Sequence, residues 1–106
     1  SRFSTKPNKD EIRTNVFIDI LSLPLEYVGN SKMWIARSNP DYKHKHKKIL
    51  YEFFSKHFKE RCYKSVKNYI KLKTDHYNKY GYQVYFAEWS QINTLFKFQK
   101  FIGDKI

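Results

Sequence analysis

The stretch PDYKHKHKKILYEFFSKHF, Pro40 to Phe58, decides the fold class of this chain. At helical spacing, Tyr42, His46, Ile49, Leu50, Phe53, Phe54 and Phe58 fall on one apolar stripe, which predicts a helix. Ser38 or Asn39 would cap it, and Pro40 suits a first turn, where its missing N–H costs nothing.

Working outward, a short break at Lys59–Arg61 precedes a third helix that runs to Tyr80 and stops at Gly81. Its inner face is Cys62, Val66, Tyr69, Ile70, Lys73 and Tyr77. Upstream, a first helix begins near Asn8, which can cap the orphan amides of Lys9 to Glu11. Ile12, Val16, Phe17, Ile20 and Leu21 form its apolar stripe, and Pro24 ends it. Val28–Ser31 reads as a turn, and an irregular connector then brings Met33, Trp34 and Ile35 to the core. A fourth helical segment, about Phe86 to Ile102, turns Trp89, Ile92, Leu95, Phe96 and Ile102 inward. The only competing strand pattern is Tyr82 to Phe86, short and aromatic. The expected fold is therefore all-α, with four helices at most.

At 106 residues the chain has the size of one domain, 1–106, with its core at about 9–102. Nine Phe, nine Tyr and two Trp supply enough apolar material for a core, which argues against disorder. No apolar run is long enough to span a bilayer, and the polar start SRFSTKPNKDEIR predicts no signal peptide. The single cysteine, Cys62, cannot pair within the chain, which points to a reducing compartment, cytosol or nucleus.

Charge is the strongest functional signal. The net charge is +11, and residues 41–80 hold twelve Lys or Arg against four Asp or Glu, a net of +8. Such clustering implies a polyanionic partner. Lys64, Lys67 and Lys71 follow one another at i, i+3 and i+7 on the outer side of the third helix, with Asn68 between them. The alternative is a solvated face, but such faces usually interleave both signs, and few acids do so here.

Other chemistry finds little support. His44, His46, His57, His76 and Cys62 lack zinc-ligand spacing, and no Cys-x-x-Cys is present. Cys62 has no oxyanion-hole motif or Gly-rich loop beside it, and no P-loop, dinucleotide fingerprint or paired-carboxylate motif occurs. No enzyme, cofactor, metal, membrane or small-molecule substrate is expected.

Read together, the segments NVFIDILSLP, MWIARSNPDYK, YEFF, RCYKSVKNY and EWSQINTLFKF resemble a divergent MADF domain, a Myb/SANT-like helix-turn-helix family. The resemblance covers roughly Ile12 to Phe101; Tyr51 and Val66 stand where that family usually has Trp. It implies a three-helix helix-turn-helix bundle with an additional C-terminal helix and a buried Cys62. It also implies a nuclear DNA-binding module of a transcription or chromatin regulator. Helix three (about 62–80) would lie in the major groove of double-stranded DNA, with Asn68 and Lys64 reading bases. Lys67, Lys71 and Arg61 would hold phosphates or share the reading, and Lys43, Lys45, Lys47 and Lys48 would contact the flanking backbone. Arg2 and Lys6 would form a minor-groove arm. The alternative is a protein-interaction module that uses its basic face or self-associates; chromatin or transcription proteins would be its partners.

Overall fold

Asn8 opens the first helix through a reciprocal cap. Its side chain accepts the Glu11 N–H and the Glu11 carboxylate accepts the Asn8 N–H, both at 2.9 Å. In the computed structural model, which describes residues 8–106, this helix is α1, Lys9–Ile20. Its buried face is Thr14 and Ile18, flanked by Phe17 and Leu21. Ile12, Val16 and Ile20, expected inside, are about half exposed. Thr14 tolerates burial because its hydroxyl donates to the Asp10 carbonyl at 2.8 Å.

The stretch 40–58 is where the all-α expectation fails. It forms a hairpin, β2 (Tyr42–His44) and β3 (Ile49–Phe54), and then enters α2 (Lys56–Tyr63). With β1 (Leu25–Tyr27) and β4 (Gln83–Glu88) it builds one four-stranded sheet in the order β1-β2-β3-β4. The first three strands are antiparallel, and β3 and β4 are parallel, with Leu50 opposite Val84 and Glu52 opposite Phe86. Ile49–Phe54 is a continuous run of β-branched, aromatic and aliphatic side chains around one acid, nearly all of it buried. A central strand covered on both faces has that composition, and periodicity alone cannot separate it from a buried helix. Tyr42 and His44 alternate inward with Lys43 between them, a period of two rather than 3.6.

The continuous third helix is also corrected. α2 ends at Lys64, whose φ of 73° lies in the left-handed region, and α3 (Val66–Lys79) starts afresh. Ser65 caps α3 by accepting the Asn68 N–H at 3.0 Å. Together α2 and α3 are the crossover that parallel β3 and β4 require. The fourth segment divides into the end of β4, a 3₁₀ turn at Trp89–Gln91, and α4 (Leu95–Ile102). Among the described residues, four helices around a mixed sheet replace the expected helix-turn-helix bundle.

Helices cover both faces of the sheet. On one side α1 and α4 enclose Tyr42, Tyr51, Phe53 and Phe98; Phe53 alone meets Trp89, Phe98 and Phe101 with ring centroids 5.5–6.3 Å apart. On the other side Tyr69 of α3 packs on Phe54 and Phe86, and Tyr77 packs with Leu50 and Ile35. Among residues expected in the core, Phe53 is 4% exposed, whereas Trp34 is 49% and Phe96 70% exposed. Cys62, expected to be buried, is exposed as well.

Candidate functional site

The long connector between β1 and β2 is pinned by Asn39, whose Nδ2 donates to the carbonyls of Val28 and Met33 at 2.8 and 2.7 Å. Connections of this length without secondary structure are usually functional. It delivers Pro40 and Asp41 to the start of β2. Extending the pairing of Tyr42 with Tyr51 by one residue sets Asp41 opposite Glu52. Both therefore face α2 and α3. Pro40, which would follow in the ladder opposite Phe53, is fully buried. The Phe53 N–H donates instead to Asp41 Oδ2 at 2.9 Å.

Glu52 is buried and held from above. Tyr69 donates its hydroxyl to Oε1 at 2.7 Å, and Tyr77 donates to Oε2 at 2.5 Å. Burial and the Glu52 charge push the Tyr69 and Tyr77 hydroxyls far above their ordinary pKa. They stay protonated as donors. Burial, and after it the neighbouring Glu52 charge, raises Asp41 well above the usual carboxylate range. Among the described residues neither carboxylate has an ion-pair partner. The cation that partly offsets the charge at Asp41 is Lys59 of α2, whose ammonium sits 4.5 Å from the centre of the Tyr69 ring. Like charges opposite each other across strands are destabilising, and this pair lies under helices rather than in water.

About two residues beyond Glu52 a cleft opens at the carboxyl ends of the parallel strands. Asp10, Ser55, Lys56, His57, Glu88 and Trp89 line it. In open sheets with parallel strands, ligands bind at that end.

The lysines singled out in the sequence are brought into a different arrangement from that of a helix in a groove. Lys67 and Lys71 are exposed along α3, and Lys71 is paired with Asp75 at 2.9 Å. Lys64 is at the α2–α3 break instead of on the same helix, and Arg61 is exposed near the end of α2. Asn68 is occupied: its Nδ2 donates to the Tyr63 carbonyl at 2.8 Å and so ties α3 to α2. Lys43 is half-buried in β2, and its ammonium donates to the His44 carbonyl. Lys45, Lys47 and Lys48 are exposed on the β2–β3 turn. That turn is buttressed by His44, whose Nδ1 accepts the His46 and Lys47 N–H groups at 3.0 and 3.1 Å. Burial, then the Lys47 charge, lowers the His44 pKa, so its acceptor nitrogen stays free of a proton. Lys48 reaches the Tyr80 carbonyl at 3.4 Å, which joins the turn to the far end of α3. The cations thus run along α3 from the helix break to the hairpin. Arg2 and Lys6 lie outside the described residues.

Sequence reasoning missed Asp41, Glu52, Lys59 and the two tyrosine hydroxyls. One signal was legible: Glu52 is the single charge inside the run Ile49–Phe54. No described helix is long and apolar enough to cross a membrane, and no group of three or more His, Cys, Asp or Glu is placed to hold a metal ion among the described residues. No family model, curated protein or solved structure matches the chain.

Proposed function

We propose that this is a DNA-processing domain: the basic ridge along α3 holds the phosphate backbone, and Asp41 and Glu52 hold a divalent cation that promotes phosphodiester hydrolysis. The observation that carries this reading is the facing pair of carboxylates, Glu52 buried and Asp41 partly buried, without an ion-pair partner among the described residues, inside the most basic part of the chain. Buried like charges cost stability, and strongly perturbed acids concentrate at functional sites. Magnesium suits such a pair. It is commonly held by one or two carboxylates, several waters and substrate phosphate rather than by a full protein cage. Each Glu52 oxygen has two lone pairs and gives one to a tyrosine, so one on each remains for the ion.

The chemistry follows from those parts. A divalent cation held by Asp41 and Glu52 would lower the pKa of a bound water and so supply the hydroxide that attacks phosphorus. One P–O ester bond breaks, and the leaving oxygen takes a proton from solvent. Lys59 supplies positive charge to the crowded phosphoryl oxygens of the transition state without itself giving up a proton. The lysine ridge supplies affinity that falls with salt and is largely independent of sequence.

Plasmid nicking with Mg²⁺ or Mn²⁺, against the same reaction in EDTA, tests the reading. Wild type should nick only with the metal, and Asp41→Asn should bind DNA normally while nicking at least about a hundredfold more slowly. Undiminished nicking by a folded Asp41→Asn, or a wild type that never nicks, overturns the hydrolytic reading. DNA binding would then stand or fall on its own salt-dependent titration.

Self-association keeps one supporting observation: Ile12, Val16 and Ile20 leave an exposed apolar stripe along α1. Sedimentation of wild type and Val16→Lys tests it. A wild type that is already monomeric ends it.

A further inference from the structure

Two of the large apolar side chains left in solvent lie along α3 and its cap. Leu72 and Tyr80 are 51% and 43% exposed, and with half-buried His76 they fall at i, i+4 and i+8 along one stripe of α3 and its cap. The His76 and Tyr80 rings are 5.4 Å apart. The connector lies against this stripe: His76 Nε2 is 2.8 Å from the Ile35 carbonyl, and Lys73 donates to Ser38 Oγ at 2.9 Å. Trp34, one residue before Ile35 in the same connector, keeps half its surface in water. An aromatic ring half in water beside an aromatic core offers its open face to a ligand with a flat face. The rim is cationic. Lys32 and Arg37 flank Trp34 in the exposed connector, Lys79 lies 5.9 Å from the Tyr80 ring centre, and Lys48 contacts the Tyr80 carbonyl. The exposed acid of this stretch, Asp75, is already paired with Lys71. The stripe also adjoins the acidic pair, because Tyr77, next to His76, donates its hydroxyl to Glu52.

We propose that Trp34 and Tyr80, set in this cationic rim, form a stacking platform for unpaired bases, so that the preferred ligand is single-stranded DNA rather than intact duplex. The inference rests on the nucleic-acid reading above and names its substrate class. Base–aromatic stacking needs only an exposed π-face, which a single strand offers and a closed duplex hides. Phosphates on either side would meet Lys32, Arg37, Lys48 and Lys79. An acidic protein partner would satisfy the lysines but would leave the two rings without planar partners.

The test is binding in EDTA, so that hydrolysis plays no part, of a fluorescent oligothymidine strand and of a hairpin duplex of the same charge. Wild type, Trp34→Ala, Trp34→Phe and Tyr80→Ala are compared over a range of salt. The strand should bind more tightly than the hairpin. Trp34→Ala and Tyr80→Ala should each weaken strand binding by about 5- to 100-fold. Hairpin binding should change less than about twofold, and Trp34→Phe should keep most of the strand affinity. The slope of log affinity against log salt should stay the same, since no cation is removed. Equal losses on strand and hairpin, or no loss on the strand, overturn the platform while leaving nucleic-acid binding intact. A wild type that binds neither ligand overturns both. Melting curves accompany each variant, and two independent ring positions guard against a single misfolded protein.

Discussion

The two faces of the sheet are built on opposite rules. Under α1 and α4 the strands present Tyr42, Tyr51 and Phe53 to Phe98 and Ile102, a mostly apolar layer that needs nothing from solvent. Under α2 and α3 the same strands present Asp41 and Glu52 to two tyrosine hydroxyls and a lysine. The first face carries stability. The second spends it, because two carboxylates lose hydration and repel one another. A small domain has little stability to spare, so an arrangement that costs free energy and adds no packing points to function.

The contrast can be broken most sharply at Phe53. Its ring is buried among four others, Tyr42, Trp89, Phe98 and Phe101, so Phe53→Ala should cost about 3–5 kcal/mol and leave the domain largely unfolded at moderate denaturant. Chemical denaturation with near-wild-type midpoint would mean that the α1–α4 face is not the stabilising one.

On the other face, Tyr77→Phe removes one donor to Glu52 and keeps the ring. A bond to a charged acceptor supports a loss of roughly 1.5–3 kcal/mol, read from the same denaturation curves. No loss would show that the Tyr77 hydroxyl does not hold Glu52 in the folded protein.

Asp41→Asn should have the opposite sign. The amide oxygen still accepts the Phe53 N–H, and the like-charge contact disappears, so stability should rise by about 0.5–1 kcal/mol at neutral pH. Because the folded pKa of Asp41 is raised, the folded state binds its proton more tightly than the unfolded chain. Wild-type stability from this group is therefore present below the unfolded value of about 3.9 and is lost as pH rises through the folded pKa. The advantage of Asp41→Asn should grow over that window and vanish in acid. A variant less stable than wild type at pH 7 would refute the strained pair.

The smallest stability effect belongs to the ridge. Lys64→Ala, Lys67→Ala and Lys71→Ala should each alter unfolding by less than about 0.5 kcal/mol, since all three are exposed. Each phosphate contact removed should flatten the slope of log DNA affinity against log salt by about one. Asn68→Ala is expected to weaken the α2–α3 junction rather than base recognition, because its amide is bonded to the Tyr63 carbonyl. A triple lysine variant with wild-type affinity and slope would move the DNA to another surface.

Some of this molecule is legible residue by residue. Asn8 and Glu11 write the start of α1, and Gly81, at a φ of 85°, writes the stop after α3. The basic character of residues 41–80 needs no coordinates either. These are properties of near neighbours or of composition, so the chain alone determines them.

The sheet is another matter. Ile49–Phe54 suits a buried helix as well as a central strand, and only partners distant in sequence settle it: β4 on one edge, thirty-odd residues away, and β2 on the other. The inward turn of Thr14 and the outward turn of Ile12, Val16 and Trp34 likewise depend on where the opposing layer lies. The acidic pair is the plainest case. Asp41 and Glu52 look like isolated acids in the sequence, and antiparallel register places them opposite one another beneath α3. Capping and charge act within a few residues and can be read along the chain. Register, burial and the meeting of two carboxylates arise only when the tertiary structure closes those loops.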